Sequence, residues 1–324
     1  MNSWVLLVNI TSITCAFLSI SLNSLLIFVF FKCPAKSLSV FKYFFFLFAI
    51  VGIFFSLVQA AFVPITVGNH TSFVFLAAGF GGYRGYGFVG LLLFFMGCLF
   101  VLLLICNSFI YRYLVLCRPN LIILYTMKRY ATLTIALNFM LIVDWTHSIF
   151  RTMPATTEFT SSFRQTALDV VQIDISKTAH FGFDQKDMQG RPVFVIIFLQ
   201  FTIIMVIIFV TIVYCVRQIL STLKRAAISS NARKLHSRMF NLLILQLLNP
   251  LTFLYLPCMT SNILVAVGAM NIDYICTLVS SSYAVFPLVN PVIILHYVKD
   301  YRMYLLRLFR IDKTLRHKAT TRTT

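Results

Sequence analysis

The sequence predicts an all-α membrane protein: a bundle of seven transmembrane helices, N-terminus outside and C-terminus inside, with a short amphipathic helix after the seventh span. Three observations predict it. Of 324 residues, 60% are hydrophobic and only 11% charged, with a mean hydropathy of +0.89. A soluble fold has no means of hiding that much apolar surface, so most of it must face lipid. Seven apolar stretches are each long enough to cross about 30 Å of hydrocarbon at about 1.5 Å per residue. Finally, the basic side chains collect on alternate connections between those stretches.

The spans cover approximately residues 4–31, 43–64, 88–111, 131–150, 192–216, 239–261 and 274–298. The first has no basic n-region, its apolar core is too long for a signal peptide, and Lys32 lies on its far side. It therefore reads as an uncleaved signal-anchor. With the N-terminus outside, the inner connections and tail hold 21 basic residues and two acids, Asp300 and Asp312. The outer loops hold six of each sign, and Asp144 remains inside a span. That split follows the positive-inside rule and needs an odd number of spans. The inner surplus faces anionic lipid or an acidic protein, so nucleic acid is not the expected partner of this +18 chain.

After the second span, Asn69-His70-Thr71 is a glycosylation acceptor on the outer side, whereas Asn9-Ile10-Thr11 lies within the first span and should be silent. The glycine-rich segment Ala77–Gly87 reads as a flexible outer turn. The third span carries no charge between Gly85 and Tyr111 and ends in SFIYRYLVLCRP, Ser108 to Pro119. Arg112, between Tyr111 and Tyr113, has two readings: it snorkels to the headgroups, or it faces the inner mouth of the bundle and helps switch a cytoplasmic partner. In the fourth span Asp144 is followed by His147; the carboxyl either bonds to His147 or a neighbouring helix, or stands on the rim of a ligand cavity.

Residues 151–191 form a polar outer loop of 41 residues without cysteine, which either covers a cavity or solvates the outer face. The inner loop 217–238 is basic and helix-compatible, a topology signal that is also able to dock a partner. The sixth span carries Gln246, Asn249 and Pro250 at its middle and Pro257 near its outer end; the seventh carries Pro287, Asn290 and Pro291. Proline removes a backbone hydrogen bond and kinks a helix, and nearby polar groups then re-pair the freed carbonyl. Residues 301–311 form an amphipathic, interfacial helix with Tyr301, Tyr304, Leu305 and Leu308 on one face and Arg302, Arg307 and Arg310 on the other. One domain thus covers 1–311, and a basic, Thr-rich tail covers 312–324.

The eight cysteines and six histidines are dispersed, without metal-ligand or nucleophile–base spacing, so neither an enzyme nor a metal or cofactor protein is expected. The main alternative is a multi-span ion channel or transporter. Ion-coupled transport normally needs several intramembrane charges or inverted repeats, and neither is visible.

In order along the chain, LNSLLIFVFFKC (Leu22–Cys33), KYFFFLFAI (Lys42–Ile50), FIYRYLVLCRP, LHSRMFNLLILQLLNP (Leu235–Pro250) with YLP (Tyr255–Pro257), and NPVIILHYVKDYR (Asn290–Arg302) resemble the nematode serpentine chemoreceptors of the Str type, G-protein-coupled receptors. The resemblance covers the first to the seventh span. It implies an olfactory receptor of the plasma membrane, in sensory-neuron cilia, that binds a small molecule and activates a heterotrimeric G protein. It places Tyr111-Arg112-Tyr113 where rhodopsin-like receptors carry an acidic-Arg-Tyr motif, and Asn290-Pro291 at their seventh-span motif; the kink at Pro250 beside the basic loop, read from the residues themselves, makes the sixth span a lever whose inner end can swing. The departures are specific. Tyr111 cannot form the resting ion pair that an acid would make with Arg112, the second span has no aspartate, and the usual outer disulfide has no cysteines.

If Arg112 points inward, helical arithmetic puts Cys98 and Phe94 on the same face with Phe95 alongside. Opposing them are Leu251, Thr252 and Tyr255 on the sixth span and Ser280 and Tyr283 on the seventh. Such a pocket suits a small, weakly polar ligand, bound with about micromolar affinity for about ten heavy atoms.

Overall fold

In hydrocarbon every backbone N–H and C=O must be paired within its own segment, so uncharged runs of Leu, Ile, Val and Phe become helices. The computed structural model describes residues 3–33, 42–68, 72–153, 155–184, 192–225, 230–257, 260 and 273–308. In chain order the elements are α1 (Ser3–Lys32), α2 (Lys42–Phe62), β1 (Pro64–Gly68), β2 (Ser72–Ala77), α3 (Arg84–Cys117), α4 (Ile123–Thr126), α5 (Lys128–Thr152), α6 (Thr157–Val171), β3 (His180–Asp184), α7 (Pro192–Arg225), α8 (Ser230–Pro250), α9 (Asp273–Tyr297) and α10 (Lys299–Leu308).

Six of these, α1, α2, α3, α5, α7 and α9, contain stretches long and apolar enough to cross a membrane. The seventh bundle helix is α8. Seven of its first nine residues are polar, but it continues unbroken through a π-helical turn, Leu251–Tyr255, into Leu256 and Pro257. Helices α3 and α7 run past the predicted spans to Cys117 and Arg225, because a helix need not stop where the hydrocarbon does. Helix α10 overlaps the predicted interfacial segment 301–311 and begins two residues before it, at Lys299; residues 309–324 and Asn69 lie outside the described residues.

The central strut is α3, buried at intervals from Gly87 to Leu114 and packed against α2, α5, α7 and α8. Helix α5 is peripheral and buries only Ile142, Trp145 and Ile149. On the other side α1, α2 and α9 pack together, with Gly52 allowing close approach. A Cβ there would stand 2.8 Å from the Asn23 amide.

The glycine-rich segment is not the flexible turn that its composition predicts. The strands β1, β2 and β3 form an antiparallel sheet in that order, and the segment after β2 folds back on α2: Gly79 N–H donates to Phe62 O and Gly81 N–H to Ala61 O, both at 2.9 Å. At Gly82 a Cβ would lie 2.0 Å from Ala77 O, so the glycine is a packing requirement. Alternation along β2 buries both faces of the sheet. Phe73 and Phe75, with Phe181 of β3, face the bundle core. Ile65, Val67, Val74 and Leu76 face Phe159, Phe163 and Ala167 of α6, together with Val5 and Val8 at the start of α1. Helix α6 is capped by Thr156, whose Oγ1 accepts from Phe159 N–H at 3.2 Å, and ends at Gln172 with φ of 56°. Sheet and helix therefore form a two-layer cap over one end of the bundle.

Candidate ligand and signalling sites

Under the cap, the inner face of α3 meets the sheet and α9. Phe94 contacts Phe55 and Tyr283, each at a ring separation of 5.2 Å; Phe95 contacts Phe75 at 4.8 Å and Phe181 at 6.0 Å. The Tyr255 hydroxyl donates to Cys98 O at 2.8 Å, joining α8 to α3. Ser280 Oγ accepts from Thr66 N–H at 3.2 Å, joining α9 to β1. Of the eight pocket positions, Phe94, Phe95 and Tyr283 form one aromatic cluster, Tyr255 bonds to Cys98 one turn along α3, and Ser280 bonds to β1 one turn before Tyr283 on α9. Leu251 is half-buried, and Thr252 is exposed, so the structure does not bring Thr252 into that group. The π-helical turn adds about one residue per turn after Pro250 and turns Leu254 inward instead, to 3% exposure. A regular 3.6-residue count has no way to anticipate that slip.

The sequence reading assigned no tether to the outer loop, and no disulfide is present among the described residues. Backbone hydrogen bonds hold it instead. Ala77 N–H donates to Ala179 O, and Ala179 N–H to Gly82 O, both at 3.0 Å, while Tyr83 pairs with Thr178 just before α3. Phe181 lies against Phe88 of α3 at 4.6 Å. Within the cap His180 is 1% exposed, with Nε2 3.0 Å from Thr160 Oγ1 and Nδ1 3.0 Å from Thr178 O. Burial holds its pKa below the ordinary imidazole range.

At the opposite end Arg112 is 6% exposed and points into the bundle rather than outward. Its Nη2 lies 2.9 Å from His236 Nδ1 and 3.4 Å from His236 O, linking α3 to the first turns of α8. A guanidinium has only donors, so Nδ1 must accept, and the imidazole in this contact is neutral. Burial, and then the Arg112 charge, push the His236 pKa down. The sequence reading missed His236 as a partner and grouped it with a basic loop. The signal was indirect: Tyr111 at the acidic position leaves Arg112 in need of a different acceptor.

Tyr111 is a packing residue, with its ring 5.6 Å from those of Phe44 on α2 and Tyr125 on α4. Tyr125 donates to Asn107 Oδ1 at 2.8 Å, and Asn107 donates to Asn138 of α5 at 3.1 Å. Tyr113 meets Tyr214 of α7 through hydroxyls 3.5 Å apart, and Cys117 Sγ lies 3.1 Å from Thr222 Oγ1.

Between the two ends lie the proline breaks. Pro291 displaces the hydrogen bond that Pro287 O, four residues earlier, would accept, and Asn23 Nδ2 of α1 donates to that oxygen at 3.3 Å. Asn249 donates to Phe286 O at 3.1 Å, and Gln246 to Asn290 Oδ1 at 3.2 Å, so the polar residues before Pro250 bond to α9 just before Pro287 and Pro291.

The sequence model of one family, serpentine type 7TM GPCR chemoreceptor Str, matches residues 8–306. No curated protein matches the chain.

Proposed function

The chain belongs to the Str family of serpentine seven-transmembrane chemoreceptors, and on that premise we propose that it is an olfactory receptor of the plasma membrane, in sensory cilia, that couples an external small molecule to a heterotrimeric G protein. The capped end faces outside and the Arg112 end faces the cytoplasm, an orientation supported by the 21 basic residues that the sequence puts on the same alternate connections and tail as Arg112. The ligand is small and weakly polar. It inserts among Phe94, Phe95 and Tyr283 beneath the sheet, using the hydroxyls of Tyr255 and Ser280.

The observation that carries the reading is the Arg112–His236 contact. It closes the inner mouth by tying α8 to α3, and it occupies the arginine that the G protein needs. Because the aromatic rings already touch one another, a ligand must replace those contacts and so moves Tyr255 relative to Cys98. That displacement acts on α8 just beyond Pro250 and swings its polar inner turns outward. A tenfold preference for the open state shifts the balance by about 1.4 kcal/mol. In cells carrying a second-messenger reporter, Arg112→Ala should abolish the response to an agonist found by ligand screening while surface delivery stays intact. A retained response would remove Arg112 from the mechanism.

A further inference from the structure

A second feature lies on the flank of the bundle, away from the capped cluster. Asp144 of α5 is half-buried, and its Oδ2 accepts from Gln200 Nε2 of α7. Together with Phe139, Met140, Val143 and His147 of the same helix it lines an open, shallow groove of about 400 Å³. The groove opens outward: Phe139 is 62% and Met140 68% exposed, on the surface that faces lipid. Asp144 stands eight residues before the end of α5 at Thr152, about 12 Å below the capped end at about 1.5 Å per residue.

A carboxyl group at that depth is costly unless it is paired. Gln200 is a neutral donor, so it orients the carboxyl without balancing its charge, and no cationic side chain pairs with Asp144 among the described residues. The polarity is also graded. Asp144 and His147 lie toward the capped end, while Phe139 and Met140 lie deeper. An amphiphile of the outer leaflet has the same gradient, head towards water and tail towards the midplane.

We propose that this groove is a lateral binding site for a lipophilic amine, with the ammonium group on Asp144 and the alkyl chain along Val143, Met140 and Phe139. An amine and a carboxyl form the same ion pair whichever of them brings the proton, and Gln200 holds Oδ2 so that the carboxyl meets the incoming head in one orientation. The site is separate from the capped cluster and does not depend on what binds there.

The test uses the full chain in lipid nanodiscs with radiolabelled n-octylamine, subtracting the partition into empty discs. Wild type should show saturable binding of about one equivalent that unlabelled octylamine displaces and n-octanol does not. Asp144→Asn, which keeps the shape and the Gln200 contact, should weaken binding about tenfold or more. Tyr255→Phe, in the capped cluster, should leave it unchanged. Octylamine binding that survives Asp144→Asn, equal displacement by octanol, or loss of binding in Tyr255→Phe would each overturn the assignment. So would a wild type that ignores octylamine but changes from dimer to monomer on Asp144→Asn, since the face would then serve a second copy of the chain.

Discussion

Arg112 can only donate, and the ring of its neighbour His236 can accept only while it is neutral, so one proton decides whether the shorter, 2.9 Å bond of the inner contact exists, beside the 3.4 Å bond to His236 O. In the closed form burial and Arg112 keep the His236 pKa below its ordinary value; once the contact opens, it returns towards about 6.5. The closed form is therefore fully favoured above that ordinary value and loses favour as the cytoplasmic pH falls through it. Basal reporter output in pH-clamped cells should rise on acidification, and His236→Phe should give high output that no longer varies with pH. Removing a charge-assisted hydrogen bond of about 1.5–3 kcal/mol corresponds to roughly tenfold or more in the closed-to-open ratio. Unchanged output in His236→Phe would mean the contact does not hold the resting state. From the sequence, the need for some acceptor was legible in Tyr111; the identity of His236 was not, because 124 residues separate it from Arg112 and only the crossing of α3 and α8 joins them.

At the scale of elements, six spans were legible because lipid imposes one simple rule, apolar length, on each of them; α8, with its polar first turns, does not show it among the described residues. The cap was not. Its strands are five or six residues long, both faces are buried, and β3 lies over 100 residues beyond β2, so no local alternation marks the pairing. Glycine shows where the layers touch. At Gly182 a Cβ would stand 2.6 Å from the Phe159 ring and 2.9 Å from Phe73 O, which sets how closely α6 approaches the sheet. Gly182→Val should lift α6 from the sheet, speeding proteolysis and amide exchange of residues 157–171 in detergent-solubilised receptor and weakening the agonist response. Protection equal to wild type would show that the cap tolerates the bulk. The hinge makes a matching case. Asn23→Leu leaves the Pro287 carbonyl without the donor that replaces the bond lost to Pro291, and the cost of an unpaired buried acceptor is about 1–3 kcal/mol. A thermal unfolding midpoint equal to wild type would show that another donor serves that oxygen.

The whole molecule is asymmetric along its axis in three independent ways. One end carries the sheet and α6; the other carries Arg112, the polar start of α8 and α10. The start of α1 belongs to the capped end, since Val5 and Val8 pack into the cap, while α10 follows α9 at the opposite end. The third asymmetry is charge: the sequence puts 21 basic residues on the connections and tail assigned to the inner side, among them Arg112, and six on the connections assigned to the outer side. Insertion fixes orientation by the basic excess in short connections near the spans, not by whichever end is better folded. An N-terminal epitope should therefore stain on unpermeabilised cells, and one fused after Thr324 only after permeabilisation. The Asn69 sequon follows β1 and so shares the fate of the cap. Asn69→Gln should remove a glycosidase-sensitive mobility shift, whereas Asn9→Gln should change nothing. A C-terminal epitope found outside would put Arg112 and His236 beyond the reach of any G protein, however well their geometry suits one.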